Sequence, residues 1–153
     1  MKAEIRPAKP EDLVDLIEMG RAFFEESGND AFTTFDEPSF VSTVIGVMSG
    51  AGTLLVAESC ERAVGMAACV VFPFYANMNT RIGQEIFLYC KPDFRNGIGD
   101  TLFDELEAAA MRNGADVFIM ANLAGPRDKA FARFYGRHGY SPAENTFLKR
   151  LSS

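Results

Sequence analysis

The chain has 153 residues, of which 48% are hydrophobic and 24% charged, and its formal net charge is −6 at pH 7. This length fits one domain, which we expect to span residues 1–153, and the composition excludes a disordered or fibrous protein. Because an acidic surface repels nucleic-acid phosphates, the charge argues against a nucleic-acid partner and favours a cationic one.

The apolar segments are too short to place the chain in a membrane. The longest run, residues 66–76, is shorter than a membrane span, and the N-terminus lacks the apolar stretch of a signal peptide. Cys60, Cys69 and Cys90 form no CxxC pair, and His138 is the only histidine, which leaves too few ligands for zinc. We therefore predict a cytoplasmic protein with reduced thiols, no metal and no membrane partner.

Residue periodicity in the first half of the chain predicts alternating helices and strands. Pro10 and the two acids after it suit a helix first turn, and the three residues "CER" between two apolar runs indicate an antiparallel hairpin. The predicted elements are a strand at 3–8, helices at 10–27 and 39–50, strands at 53–59 and 63–72, and a polar connection at 75–83.

The second half predicts a parallel strand-helix-strand unit. Continuous apolar runs at 85–90 and 116–121 indicate central strands covered on both faces. Between them, Leu102 and Leu106 lie at helical spacing and Asn113–Gly114 ends the helix. So short a connection implies parallel strands and a right-handed crossover. A helix at 125–139 and a strand at 146–151 complete the order β, α, α, β, β, β, α, β, α, β, an α/β fold with a mixed sheet.

Two glycines, Gly97 and Gly99, lie in the turn "RNGIGD" between the predicted strand and its helix. Such a turn directs free N–H groups at one point, where the helix dipole favours an anion and no Cβ obstructs it. No Gly-Lys-Ser/Thr follows, and Leu102 stands at the third glycine position of a dinucleotide fingerprint, so neither of those motifs is present. The turn by itself indicates either a phosphate cradle or only a tight turn.

A basic stripe supports the phosphate interpretation. Lys129, Arg133 and Arg137 recur every four residues and therefore share one face of the last predicted helix. A solvated helix face is the simpler explanation of such a stripe. Together with the glycine turn, however, it flanks the strand at 116–121 and favours a ligand with more than one phosphate.

Four stretches of this sequence match the pattern of one known family: "IRPAKPEDLVDLIEM", "TLLVAESCERAVGMA", "IFLYCKPDFRNGIGDTLFDELE" and "FARFYGRHGYSPAENTFLKRL". In the last of them, Tyr135 precedes Gly139-Tyr140 by four residues, as in the late motif of that family. On these stretches, which extend over nearly the whole chain, the protein resembles the GNAT N-acetyltransferase superfamily, whose members use acetyl-coenzyme A.

The pyrophosphate loop departs from the family pattern Arg/Gln-x-x-Gly-x-Gly/Ala. Phe94 stands where the family has arginine or glutamine, and Arg95 lies only two residues before Gly97. Asp100 adds a negative charge where the family usually has a neutral or basic residue. Binding of a pyrophosphate should therefore depend on backbone amides and on Arg133 or Arg137.

The resemblance implies a single-domain fold with a mixed sheet of about six to seven strands, about four flanking helices and parallel central strands that splay apart. Acetyl-CoA would be the co-substrate, its pantetheine arm lying in the gap and its pyrophosphate on the amides of residues 96–100. Phe134 would pack beside the arm, and Asn122 would bond the cofactor directly or through water. The residues that the resemblance implies for cofactor binding are Leu88, Tyr89, Cys90, Arg95, Asn96, Gly97, Ile98, Gly99, Asp100, Asn122, Phe134 and Arg137.

The implied reaction is direct attack of a primary amine on the thioester in a ternary complex. An amine with a pKa of about 10.4 is mostly protonated at pH 7, which costs roughly 4 to 5 kcal/mol, so a base assists. By resemblance Glu85 is the candidate base, the alternative being a strand-edge acid facing solvent. Tyr135 would protonate the leaving thiolate, the alternative being an aromatic residue of the core.

The resemblance implies an enzyme acting on a small-molecule or peptide amine, and it allows a homodimer. The alternative is a non-catalytic acyl-CoA-binding or regulatory module, which the irregular loop and Asp100 favour. Five acids surround the loop that borders the acceptor pocket in this family and either attract a cationic amine or form a solvated loop. They are Glu25, Glu26, Asp30, Asp36 and Glu37.

Overall fold

The computed structural model describes residues 2–123 and 125–151. It divides into two compact units, Met1–Met120 and Ala121–Ser153, and each is described by itself. The single domain spanning residues 1–153 stays a prediction.

The described part of Met1–Met120 contains five strands and three α-helices. The strands are β1 (Glu4–Pro7), β2 (Gly52–Ser59), β3 (Arg62–Phe74), β4 (Asn77–Cys90) and β5 (Val117–Ile119). The α-helices are α1 (Leu13–Glu26), α2 (Glu37–Gly46) and α3 (Ile98–Arg112). Shorter turns are the 3₁₀ segments Pro10–Asp12, Asn29–Ala31 and Pro92–Phe94 and the π-helical turn Val47–Ala51.

The strands form one mixed sheet in the order β1-β2-β3-β4-β5. The first three pairings are antiparallel, and β4 and β5 are parallel and joined through α3. The predicted hairpin is confirmed: β2 and β3 join through Cys60 and Glu61, both with positive φ, as a two-residue turn with the right twist requires. The predicted parallel strand-helix-strand unit is also confirmed.

Helices cover both faces of this sheet. In β2, Leu54 and Val56 pack with α1 and α2, whereas Leu55 and Ala57 pack with α3. This alternation follows from the two-residue period of a strand, and it explains why the central strands have nearly continuous apolar sequences. The result is a three-layer arrangement that places β4 between two cores.

Three predictions about strands were wrong. The sheet has five strands in the described residues, not six to seven, and 146–151 is not among them because residues 140–151 have no regular secondary structure. In an extended 146–151, Lys149 would share a face with Phe147 and Leu151, so neither face would be uniformly apolar. Residues 77–83, predicted as a connection, extend β4 instead, because they pair with β3 at an exposed part of the sheet where polar side chains are tolerated.

The described part of Ala121–Ser153 contains one helix, α4 (Asp128–Arg137). It ends before Gly139, whose φ of +84° suits glycine at a helix C-terminus. One face carries an aromatic cluster in which the Phe134 and His138 rings lie 4.5 Å apart and the Phe131 and Tyr135 rings 6.3 Å apart. With α4 the described residues hold four α-helices, as predicted. None of the described helices has the length and apolar character needed to cross a membrane.

Candidate functional site

A β-bulge interrupts β4 at Ile86. Against β3, Cys69 pairs with Glu85 and Ala68 pairs with Phe87, which leaves Ile86 as the extra residue. Because of this extra residue, Glu85 and Phe87 are no longer equivalent positions of a regular strand. Phe87 belongs to the core under α1 and α2, whereas Cys69, opposite Glu85, belongs to the core under α3.

The pairing between β4 and β5 ends next to this bulge. The parallel ladder covers only Ile82–Gln84 of β4 and Val117–Ile119 of β5. From Glu85 to Cys90, β4 therefore pairs with β3 alone among the described residues. The edge that would face β5 is left for another hydrogen-bonding group, in agreement with the predicted splaying of the two strands.

Glu85, the predicted base, lies on the α3 side of the sheet. Burial, and to a smaller extent the negative charge of Glu85, raise the pKa of the neighbouring Cys69 thiol. The Glu85 side chain is partly buried. Its catalytic role stays a prediction, because the bulge turns it away from the face that carries Phe87.

The glycine turn connects β4 to α3. Gly97 has a φ of +103° and immediately precedes the helix, and no described atom beyond its two chain neighbours lies within 4 Å of the position of a Cβ there. Thr101 N donates to Gly97 O at 3.2 Å. The N–H groups of Ile98, Gly99 and Asp100 precede it in the first turn and have no acceptor within the helix. Asn96 precedes Gly97, so the residues predicted to bind a pyrophosphate form one continuous segment that ends in the first turn of α3.

Replacing Gly97 by alanine should lower the free energy of unfolding by about 1 to 3 kcal/mol, because a side chain at φ +103° strains the backbone. Gly99→Ala is the matched control. Its Cβ would make an ordinary contact with Cys90 Sγ at 3.9 Å, and alanine favours the helix. Urea denaturation of both variants measures the difference. Equal stability of the two would contradict the proposed strain.

Arg95 is directed toward the C-terminal end of α1. Its Nε donates to Cys90 O at 2.9 Å, and its Nη2 donates to Glu26 Oε2 at 2.6 Å. The guanidinium lies 5.3 Å from the centre of the Tyr89 ring, whose hydroxyl donates to Glu26 Oε1 at 3.1 Å. Arg95 therefore connects the glycine turn to α1, and its predicted role as a phosphate ligand stays a prediction.

A double-mutant comparison separates these two roles of Arg95. If Arg95 acts as a connection, Arg95→Gln and Glu26→Gln should each cost about 0.2 to 1 kcal/mol, the usual range for exposed pairs, and the double variant should cost less than the sum. Acetyl-CoA affinity measured on the same variants gives the other outcome. Loss of affinity in Arg95→Gln but not in Glu26→Gln would instead assign Arg95 to the phosphates.

The side chains of Leu88, Tyr89 and Cys90 are packed into the two cores. Tyr89 is buried on the α1 side, and Leu88 and Cys90 contribute to the α3 side. Burial raises the pKa of the Cys90 thiol to about 11, so this thiol is protonated at neutral pH. Burial, and then the Glu26 carboxylate, raise the pKa of Tyr89. Any contact of this segment with a cofactor would therefore come from its backbone.

The other predicted site residues lie in Ala121–Ser153. The Tyr135 hydroxyl donates to Ala121 O at 3.2 Å. The Asn122 side-chain amide donates to Leu123 O and to Asp128 Oδ1, each at 3.1 Å. Phe134 packs on His138, and Arg133 and Arg137 are exposed on α4. The roles predicted for these residues stay predictions.

Sequence reasoning missed an aromatic pocket of about 370 Å³ in Met1–Met120. It opens between α1, the segment that leads into α2, and the bulge of β4. Its apolar lining consists of Phe23, Phe24, Phe35, Phe40, Ile86 and Phe87. Four of these phenylalanines fall within 18 residues of sequence, a density that was available as a signal.

Comparison with known proteins places this geometry in a family. Residues 50–142 match the family model described as an acetyltransferase (GNAT) domain. These residues include the bulge, the glycine turn, α3, β5 and α4. No curated protein sequence matches the chain.

Several solved structures share the fold at low sequence identity. A predicted acetyltransferase from Clostridium acetobutylicum with acetyl-CoA has a TM-score of 0.77 and 18% identity, over 97% of this chain and 96% of that one. AAC(6')-Iy in complex with the bisubstrate analogue CoA-S-monomethyl-acetylneamine has a TM-score of 0.77 and 12% identity, over 100% of both chains. A transcriptional regulator from Bacillus halodurans C-125 has a TM-score of 0.75 and 18% identity, over 97% and 99%.

The family match covers more than half of the chain and includes the interrupted strand and the glycine turn that the structure places in succession. The chain therefore belongs to the GNAT acetyltransferase family.

Proposed function

We propose that this protein is an N-acetyltransferase that transfers the acetyl group of acetyl-CoA to the primary amine of a small-molecule or peptide acceptor. The observation that carries the proposal is the continuous segment from the Ile86 bulge to the start of α3. It offers first a strand edge without a β5 neighbour and then a helix N-terminus that favours an anion. A thioester cofactor with a pyrophosphate needs both.

In this proposal the pantetheine amides bond to the backbone of residues 85–90, and the pyrophosphate lies on the amides of residues 96–100. Asn122, Phe134 and Arg137 are the proposed contacts from the second unit. Two of the similar structures were determined with acetyl-CoA or with a CoA-containing analogue, which supports the choice of cofactor.

Transfer proceeds by direct attack in the ternary complex. The amine nitrogen forms a bond to the thioester carbon, the carbon–sulfur bond breaks, and the amine loses a proton. Glu85 is the proposed base for that proton, through water, because its side chain lies on the α3 side of the sheet. Tyr135 is the proposed acid that protonates the departing thiolate.

Two measurements test the proposal. Acetyl-CoA should raise the melting temperature, since a ligand at 100 times its Kd stabilises the native state by about 2.7 kcal/mol. Free thiol should then be released faster when an amine from a panel of amines, peptides and polyamines is added. Absence of stabilisation at millimolar acetyl-CoA would refute the proposed cofactor, and binding without amine-dependent thiol release would refute the proposed transfer.

A second candidate function is a non-catalytic acyl-CoA-binding or regulatory module. The contact of Arg95 with Glu26 favours it, because it engages the arginine nearest to the glycine turn. The likeness to a transcriptional regulator is compatible with such a role. Acetyl-CoA binding that persists with no thiol release for any amine is the expected result for this candidate.

The proposed setting is the cytoplasm, with a homodimer as the proposed assembly. Cys60, Cys69 and Cys90 are all free thiols in the structure, which supports a reducing compartment. Cell fractionation and light scattering test these two proposals directly.

A further inference from the structure

The aromatic pocket contains a continuous row of rings. Ring centroids are 5.7 Å apart for Phe24 and Phe35, 5.5 Å for Phe35 and Phe40, and 6.0 Å for Phe40 and Phe87. These spacings are typical of favourable aromatic pairs. The row therefore extends from the end of α1 to the residue that follows the β4 bulge, and Ile86 lines the same pocket.

Gly20 of α1 allows this row to form. A Cβ at this position would lie 2.4 Å from Cζ of Phe40, so the ring rests directly on the helix backbone. Glycine in the middle of a helix costs about 0.5 to 1 kcal/mol relative to alanine. The Phe40 ring therefore occupies the space that a side chain at Gly20 would fill.

One acid, Asp36, lines the pocket, and further acids lie in the adjoining sequence. Residues 21–37 contain five carboxylates and one cation, Arg21, which pairs with Glu37 at 2.9 Å and lies 4.7 Å from the centre of the Phe35 ring. Asp36 lines the pocket, and its carboxylate accepts from the Ser39 hydroxyl and from Ser39 N at 2.9 Å. These bonds lower the pKa of Asp36, with the Ser39 hydroxyl contributing most, so Asp36 is ionised at neutral pH. The local field therefore attracts an ammonium group.

We propose that the acceptor is a small arylalkyl amine, with its aryl ring packed on the phenylalanine row. This inference rests on the proposed function, because it places the amine at the Ile86 end of the pocket, beside the strand edge proposed for the thioester. The bound ammonium group first gives up one proton to the solvent through the base. The neutral nitrogen then bonds to the acetyl carbon and loses a second proton, the carbon–sulfur bond breaks, and the departing sulfur takes a proton. The products are an N-acetyl arylalkyl amine and free coenzyme A.

The chemistry of the lining disfavours polyhydroxylated and polycationic amines. Among the residues that the structure describes, six apolar side chains line the pocket, and the one charged side chain in the lining, Asp36, is engaged with Ser39. Asn29, Thr33, Thr34 and Ser39 can pair with polar groups on one side of the pocket only. Hydroxyl groups or additional ammonium groups that face the phenylalanine rings would lose water without gaining a partner, which costs binding free energy. An aryl ring, in contrast, gains aromatic contacts along the row.

Binding can be measured without turnover, because the chain contains no tryptophan. With excitation at wavelengths that tyrosine does not absorb, tryptamine is then the only fluorophore, and its fluorescence anisotropy rises with the fraction that is bound. Saturable binding of tryptamine that equimolar spermidine does not displace is the expected result. Absence of saturable binding, or equal displacement by spermidine, would overturn the proposed acceptor class.

Two glycine variants test the location of the bound ring. Gly20→Ala displaces Phe40 and should raise the Kd for tryptamine about three- to tenfold, the loss expected for one aromatic contact. Gly46→Ala is the control: this residue has helical backbone angles, and no described atom lies within 4 Å of its Cβ position. Its Kd should stay within about twofold of the parent. Equal effects of the two variants would place the ring elsewhere.

A second pair of variants serves if Gly20→Ala does not fold. Phe35→Leu removes a ring from the row, whereas Phe32→Leu changes an exposed phenylalanine outside the pocket lining. Only Phe35→Leu should weaken tryptamine binding, again about three- to tenfold. A larger loss in Phe32→Leu would overturn the assignment.

Turnover separates failure of this inference from failure of the proposed function. With acetyl-CoA, phenethylamine and tryptamine should release thiol at a higher kcat/KM than spermidine. Thiol release with spermidine alone would overturn the arylalkyl amine and leave the acetyltransferase proposal standing. Tryptamine binding at the Gly20-sensitive site without thiol release for any amine would refute the acetyltransferase proposal and leave the binding site standing.

Discussion

A Tyr135→Phe variant is expected to lose about 10²- to 10⁴-fold in kcat, the range that general acid catalysis usually contributes. In the structure the Tyr135 hydroxyl donates its proton to Ala121 O, so the hydroxyl must exchange this acceptor for the sulfur when the thiolate departs. The variant keeps the ring, which stacks on Phe131. Its stability should therefore fall by no more than about 0.5 to 1.5 kcal/mol, the contribution of one hydrogen bond.

Separate measurement of kcat and of the KM for acetyl-CoA tests the role proposed for Tyr135. If Tyr135 acts only on the departing thiolate, the KM for acetyl-CoA should stay unchanged while kcat falls. Tyr75→Phe is the matched control, since Tyr75 is exposed in the turn between β3 and β4 and has no proposed role. An unchanged kcat in Tyr135→Phe would show that the thiolate leaves without this residue.

Elements with strong internal periodicity could be predicted from the sequence. α1 and α3 follow from apolar residues at helical spacing, and the β2–β3 hairpin follows from two apolar runs separated by a short turn. These patterns depend on which face of an element is buried. They succeed here because each of these elements packs on a single sheet.

Features decided by pairing between distant segments could not be predicted. The bulge at Ile86 results from the register of β4 against β3, which no residue type in "QEIFLY" specifies. The orientation of Glu85 depends on that register and therefore could not be predicted from the sequence either. Residues 77–83 are strand for the same reason. They form a strand because they pair with β3, and their own sequence has no strand pattern.

The contacts of Arg95 could not be predicted from the sequence either. Its position two residues before Gly97 was visible in the sequence, but its acceptor, Glu26, is 69 residues away. The displaced arginine of the loop therefore has a structural partner that only the packing of α1 beside β4 brings near. For the phenylalanine row, in contrast, the composition of residues 23–40 was sufficient to predict an aromatic cluster, although not its opening at the bulge.

Replacing Asp15 by alanine is expected to lower the free energy of unfolding by about 2 to 4 kcal/mol, the largest stability loss among the variants considered. Asp15 lies on α1 and is buried. Its carboxylate accepts from Arg62 Nε at 2.9 Å and from Ala63 N at 2.9 Å, which connects α1 to the start of β3. Its removal leaves a buried N–H group without its acceptor. The exposed guanidinium of Arg62 regains water, which keeps the loss below that of a fully buried pair.

Glu105→Ala provides the control, because it removes a carboxylate from an exposed position of α3. Its stability should stay within about 0.5 kcal/mol of the parent, as for most surface substitutions. Urea denaturation at pH 7 measures both variants. Similar losses in the two would mean that the bonds from Arg62 and Ala63 contribute little.

The charge of Asp15 also predicts a dependence on pH. Its hydrogen bonds, that from Arg62 first, hold the pKa of Asp15 below its usual value, which in the unfolded chain is about 3.9. The stabilisation is therefore complete above that value and is lost as the pH falls from about 5 through the folded pKa. Asp15→Asn should be less stable than the parent at pH 7, and the difference should shrink by pH 3. The Asp12 carboxylate, whose pKa Arg6 lowers in the same way, is present in both proteins and cancels. A difference that stays constant between pH 7 and pH 3 would assign the contribution of Asp15 to its hydrogen-bond geometry rather than to its charge.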